Sequence, residues 1–184
     1  ETIKENTTIN TNKTSKDSQE RIINQAIKLQ KKGNIKEALK YYQYCVKQEF
    51  NDARVFSNYG TILKIIGNLK EAEFFTRKAI ELKPDLAESY SNLGSILLDL
   101  GKSKEAERSA RKAIKLNPNL AMSYLNLGTI LKDQRKLKEA KISQQKAIEL
   151  KPDLAEAHYN LGNILIDLGK LKEAEKSLRK AIEL

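Results

Sequence analysis

AESYSNLGSILLDLGKSKEAERSARKAIKLNPNL, residues 87–120, is one copy of a pattern that runs along nearly the whole chain. Its Lys-Glu-Ala at 104–106 recurs at 36–38, 70–72, 138–140 and 172–174, always 34 residues apart. A fixed period of this length marks stacked units, none of which can bury its apolar face alone. Counted so that the prolines stand at position 32, the units are 19–52, 53–86, 87–120, 121–154 and 155–184, the last four residues shorter.

The slots explain themselves physically. Apolar residues at positions 4, 7, 10, 11 and 14 follow the i, i+3, i+4, i+7 spacing of an amphipathic first helix. Position 8 holds Ala26, Gly60, Gly94, Gly128 and Gly162, position 20 is always Ala, and position 27 is Cys45 and then Ala79, Ala113, Ala147 and Ala181. Such small residues let two helices approach closely. Position 15 holds Gly33, Gly67, Gly101, Arg135 and Gly169, as suits the left-handed residue that closes a helix. Positions 18 to 30 predict a second amphipathic helix with Glu near its positive N-terminal end. Pro84, Pro118 and Pro152 then stop it.

Tyr90, Asn92-Leu93-Gly94, Ala106, Ala113 and Pro118, with their counterparts in other units, resemble the tetratricopeptide repeat signature over about nine-tenths of the chain. The stretch 155–162, Ala-Glu-Ala-His-Tyr-Asn-Leu-Gly, is similar to the repeats in the superhelix of O-linked N-acetylglucosamine transferase. The resemblance implies an all-α, right-handed superhelical solenoid of five helix-turn-helix repeats. Unit one departs from the pattern, with Ile22, Gln25 and Ala26 in the Tyr, Leu and Gly slots and Phe50 in place of Pro. It reads as a cap, since terminal repeats face water.

The chemistry needed by an enzyme is missing from the pattern. All eight glycines stand at position 8 or 15 and all three prolines at 32, so no Gly-rich phosphate loop is left over. His158 occupies a slot that holds Ile22, Phe56, Tyr90 and Tyr124 elsewhere, which predicts a structural ring. Cys45 sits in an Ala slot and reads as a small buried hydrophobe. Asp99, Asp133 and Asp167 recur once per unit, a surface periodicity and not a catalytic pair. The sequence implies no enzyme, no metal and no cofactor. With one Cys there is no internal disulfide, and no apolar run approaches the roughly 18 residues of a membrane span. A reducing, cytoplasmic setting is the expectation.

Position 6 holds Asn24, Asn58, Asn92, Asn126 and Asn160, in all five units. Asn is a mediocre helix former, so propensity does not explain it. By the resemblance, this position faces the concave groove, where an amide can bond both the C=O and N–H of an extended peptide. The sugar-transferase superhelix holds peptide backbones with such an Asn ladder. The alternative is that each Asn bonds to a neighbouring helix and only fixes stacking. The same resemblance assigns positions 2, 5, 9, 12 and 13 to the groove. Among them Arg54, Thr61, Ser95, Leu125, Thr129, Tyr159 and Asn163 are the candidates for selecting ligand side chains.

The net charge of +10 suggests nucleic acid at first sight. The groove slots, however, hold four bases (Lys31, Arg54, Lys64, Lys132) against six acids. The excess lies on the second helix, in Lys36, Lys70, Lys104, Lys138 and Lys172 at position 18 and Lys78, Lys112, Lys146 and Lys180 at position 26. A lysine stripe on an outer face is ordinarily solvated, and nucleic acid is not the expected partner.

Residues 1–18 are polar and neutral, with three acids and three bases, and have no core of their own. An extended polar segment of this kind suits docking in the groove of its own or a neighbouring molecule. At the other end the last unit has no polar capping helix, which predicts either a longer protein or end-to-end self-association. The leading function is a protein-interaction module that holds an extended peptide through its Asn ladder. The alternatives are a substrate-recruiting arm of a larger enzyme, such as a glycosyltransferase, or a self-assembling scaffold that forms homo-oligomers through its ends or tail.

Overall fold

The structure is a computed structural model that describes residues 15–184. Among them it contains ten α-helices and no strand. The described residues divide after residue 51 into two compact units, the second of which is 52–184. The proposed docking of the N-terminal tail concerns residues outside the described ones, apart from Ser15 and the helical residues after it.

The first unit holds α1 (Lys16–Lys31) and α2 (Ile35–Lys47). α1 begins three residues before the repeat frame because Ser15 caps it, its hydroxyl accepting from the Ser18 N–H at 3.3 Å. Asp17 adds a negative charge in the first turn, where the helix dipole favours it. Ile23 and Ala26 of α1 and Ala38, Tyr42 and Cys45 of α2 are buried. The Tyr42 hydroxyl donates to Gln30 Oε1 at 2.8 Å. This unit is a helix pair like those that follow.

The second unit holds α3 (Ala53–Ile65), α4 (Leu69–Leu82), α5 (Ala87–Asp99), α6 (Ser103–Leu116), α7 (Ala121–Asp133), α8 (Leu137–Leu150), α9 (Ala155–Asp167) and α10 (Leu171–Glu183). Within each pair the chain turns through a left-handed residue. Gly67, Gly101 and Gly169 have φ of 82°, 73° and 73°, and Arg135 takes the same conformation at 61°. The N–H of the residue after it reaches back into the helix, as Lys136 does to the Leu131 carbonyl at 2.8 Å.

Close approach is visible at position 8. A side-chain carbon built on Gly128 would stand 2.5 Å from the Gln144 amide nitrogen, and one on Gly162 would stand 2.6 Å from Leu178. At Gly94, opposite the smaller Ala110, the nearest atom is 3.3 Å away. The core therefore runs as one seam of Leu93, Leu97, Leu127, Ile130, Leu131 and Ile164, with Ala106, Ala110 and Ala140 where the helices come nearest.

The stacking is asymmetric. α3 packs on α5, α5 on α7 and α7 on α9, so the first helices of successive repeats touch directly. The second helices wedge against the next first helix, α4 on α5, α6 on α7 and α8 on α9. Consecutive second-helix regions are joined by long charged side chains: Lys102 to Glu73 at 2.7 Å and Arg77 to Glu105 at 3.2 Å, then Lys136 to Glu107 at 2.9 Å and Arg111 to Glu139 at 3.2 Å. The first helices form the tighter layer, and that is the layer carrying position 6.

Candidate functional site

In the second unit the position-6 asparagines are half-buried along the first helices. The Asn92 Nδ2 donates to Ser57 Oγ at 3.2 Å. The Asn126 Nδ2 donates to both the carbonyl and the hydroxyl of Ser91, each at 3.1 Å. A carbonyl can only accept, so the group facing it has to be the amide NH2. Asn160 has Leu125 where its neighbours have Ser, and its Nδ2 turns to Thr129 Oγ1 at 3.3 Å. That hydroxyl already gives its proton to the Leu125 carbonyl at 3.0 Å, so it is free to accept. Gln144 Nε2 converges on the same carbonyl at 3.1 Å from the second helix.

Each of these three amides is thus oriented by the preceding repeat. Among the described residues, no donor bonds the Oδ1 of Asn58, Asn92, Asn126 or Asn160. In the first unit Asn24 is exposed, and its Nδ2 donates down its own helix to Glu20 Oε1 at 3.2 Å.

Position 5 corrects the sequence expectation. Leu125 is only 2% exposed and packs with Ala147 and Ala157 between repeats, so it presents no surface to a ligand. Ser57 and Ser91 are equally buried, as acceptors for the next asparagine. Tyr159, the position-5 residue of the fifth repeat, is 55% exposed. The residue one place before a groove side chain need not share its face, and here it turns into the stack.

The remaining candidates are partly accessible. Thr61, Ser95, Thr129 and Asn163 at position 9 are half-buried, and Thr61 bonds the Ser57 carbonyl at 3.1 Å. Arg54 is clamped on Asp52, the cap of α3, with its Nη2 2.7 Å from Asp52 Oδ2. Burial opposes ionisation of Asp52, but the hydrogen bonds and charge of Arg54 outweigh it and hold the carboxyl below its ordinary range. Lys64 pairs with Asp99 of the next repeat at 3.3 Å. Between α5, α7 and α9 an open cavity of about 540 Å³ is lined by Leu98, Thr129, Lys132, Asp133, Arg135 and Asp167.

Other residues singled out in the sequence are structural here. A ring nitrogen of His158 lies 2.9 Å from the Pro152 carbonyl and donates to it. Lys78 and Lys112 lie over the rings of Phe56 and Tyr90, at 4.4 and 5.9 Å from the centroids. Among the described residues no group of three His, Cys, Asp or Glu side chains is placed to hold a metal ion. No helix there is long and apolar enough to cross a membrane.

Two family models, both described as tetratricopeptide repeat, match residues 87–120 and 155–184, and residues 53–86 and 121–154. Together they cover the chain without a gap from 53 to its last residue. The chain belongs to the tetratricopeptide repeat family. No curated protein matches the chain.

Among solved structures, a crystal structure of MamA is 26% identical, with a TM-score of 0.67, covering 86% of this chain and 92% of that one. The protein YrrB, described as a TPR protein with an unusual peptide-binding site, is 25% identical, with a TM-score of 0.62 and coverage of 88% and 84%. TTC0263, a thermophilic TPR protein of Thermus thermophilus, reaches a TM-score of 0.80 at 19% identity, covering 90% of each chain, and shows the shared fold.

Proposed function

We propose that this tetratricopeptide repeat protein is a non-catalytic interaction module that holds an extended peptide segment along its first-helix layer. The row of position-6 carbonyls carries the reading. Each amide of Asn92, Asn126 and Asn160 commits at least one N–H of its NH2 to the stack, whereas its carbonyl takes no hydrogen bond there, so the open groups of the ladder are chiefly acceptors. Peptide N–H groups are the complementary donors. Helices pack about 8–10 Å apart and an extended chain rises about 3.3 Å per residue, so one carbonyl serves about every third ligand residue. Thr61, Ser95, Thr129 and Asn163 stand beside the row to select side chains, with Asn58 continuing it and Tyr159 at its far end. The similarity to YrrB, whose description names a peptide-binding site, supports the same class of ligand. A cytoplasmic location accords with this role.

The test is to pan a phage-displayed library of unstructured twelve-residue peptides against the protein and measure the selected peptides by calorimetry. Asn92→Ala/Asn126→Ala is expected to weaken them at least tenfold, while Ile142→Lys on the outer surface leaves them unchanged. Equal affinity for the double variant overturns the ladder. The Asn126–Ser91 bond favours a second reading, in which the asparagines only space the repeats. Under that reading the double variant unfolds earlier in denaturant, yet each folded molecule binds as before.

A further inference from the structure

On the opposite side of residues 52–184, the second helices stand apart and leave clefts between them. The cleft between α6 and α8 has a volume of about 570 Å³, a floor of Ile114, Tyr124, Leu127 and Leu131, and Ile142 on its lip. One repeat later the same slots, now Ile148, His158 and Leu161, floor a cleft of about 490 Å³ beside α10. The cleft is a property of the repeat, but its lip is not. Position 22 holds Lys40, Arg108 and Lys176 in repeats one, three and five, and Phe74 and Ile142 in two and four. Phe74 is 62% exposed and Ile142 65%. Packing asks for neither, since the same slot elsewhere carries a charge.

The α6 side of this cleft is basic: Arg111 and Lys115 line it, and two further cations continue the outer face of the same helix. Lys104, Arg108, Arg111 and Lys115 of α6 are spaced i, i+4, i+7, i+11, which puts them on one face. The carboxylates of that helix are already engaged, Glu105 with Arg77 and Glu107 with Arg111 and Lys136. Among the described residues, Lys104, Arg108 and Lys115 have no acidic partner. Across the cleft, Glu139 is held by Arg111. An apolar floor beside a row of unneutralised cations calls for a ligand that is apolar on one side and anionic on the other.

We infer that the cleft between α6 and α8 docks an acidic amphipathic helix of a partner protein. A trough between two helices receives a third along its length, with apolar residues at i, i+3, i+4 and i+7 as anchors. Those anchors enter against Ile114, Leu127 and Ile142, and the carboxylates flanking them meet Lys115 at the cleft and Lys104 and Arg108 on the outer face of α6 above it. α6 and α8 each span about 21 Å, so the docked segment is about four turns long. This site is independent of the Asn groove, which lies on the other helix layer.

The probe is a fluorescein-labelled eighteen-residue helical peptide with Leu at the anchor positions and Glu on the remaining faces, followed by fluorescence anisotropy. A counterpart with Lys for Glu is the charge control. Ile142→Lys and Lys115→Glu copy Lys176 and Glu149 from the same slots of repeat five and repeat four, and circular dichroism verifies their fold. The acidic helix is expected to bind the wild type, to weaken at least tenfold in each variant, and to be indifferent to Asn92→Ala/Asn126→Ala, while the basic counterpart does not bind. No binding of the acidic helix, or equal affinity for Ile142→Lys, overturns the assignment. Sedimentation with phosphatidylserine vesicles in place of peptide binding also overturns it, and gives the face to a membrane surface.

Discussion

The side-chain amide of Asn126 donates across the repeat junction to both the carbonyl and the hydroxyl of Ser91, 35 residues earlier, at 3.1 Å each. One side chain thereby ties two first helices together and is itself fixed. Asn126→Ala is expected to cost about 1 kcal/mol, the usual net worth of such a bond. Asn126→Asp sets an acceptor against an acceptor and costs more, about 2 kcal/mol, at neutral pH. Repulsion from the carbonyl raises the folded pKa of that introduced carboxyl above its unfolded value. Its extra penalty is therefore absent at low pH and grows as pH rises. Urea melts of both variants against wild type at pH 4 and pH 7 check the order and the sign.

Arg135 is the non-glycine residue at the helix-closing slot, with φ of 61°. A side chain in this conformation crowds the following carbonyl, at a cost of about 1–2 kcal/mol. Glycine in the unfolded chain gives part of that back, about 0.5–1 kcal/mol. Arg135→Gly is expected to stabilise the protein by about 0.5–1 kcal/mol, read as a higher urea midpoint. An unchanged or lower midpoint contradicts it.

Gly94 and Gly128 occupy the same slot but face Ala110 and Gln144. Gly128→Ala drives a methyl into the fully buried Gln144 and is expected to cost about 2–3 kcal/mol. Gly94→Ala meets only a tight contact and gains helix propensity, so its net effect stays within about 1 kcal/mol. Gln144→Ala reproduces the repeat-three pair, and the Gly128→Ala/Gln144→Ala double variant should recover most of the loss. A double-mutant cycle by denaturant unfolding measures this coupling.

The ion pairs between repeats set an acid limit to stability. Burial works against ionisation of Glu73, but hydrogen bonds and charge from Lys102 and Arg77 outweigh it. For Glu107 the hydrogen bond from Lys136 is the largest influence, aided by Arg111. Both carboxyls are held below the ordinary value of 4.5. Their stabilisation is present above that value and is lost as pH falls through the lower folded one. Thermal melts from pH 6 to pH 3 should fall on this limb, and Glu73→Gln/Glu107→Gln should flatten it. A parallel acid limb in the double variant would remove these pairs as its cause.

The repeat frame, both helices of each pair and the left-handed slot at 15 were legible in the residues, because each depends on local spacing and backbone conformation. Position 5 was not. Whether Leu125 faces the groove or the stack depends on how far one repeat rotates on the next, and a single helix's periodicity carries no record of that angle. The Asn–Ser bond has a signal, a Ser 35 residues before the Asn, which becomes visible only once that rotation is known. The start of α1 at Lys16 lies outside the repeat frame, which begins at 19, because the cap Ser15 and Asp17 belong to no repeat slot. The exposure of Phe74 and Ile142, and the cleft beside Ile142, depend on the spacing of the second helices, which the residues do not record.

The direct packing of first helices, against the bridging of second helices by long ion pairs, makes residues 52–184 mechanically unequal across their thickness. The inner layer resists compression as any close-packed core does, while the outer layer is sprung by contacts that salt screens. Flexing such a beam pivots it about its stiff side. Raising the ionic strength is therefore expected to loosen the outer side first and to leave the rungs of asparagine at their pitch, so that the two faces answer the same medium differently.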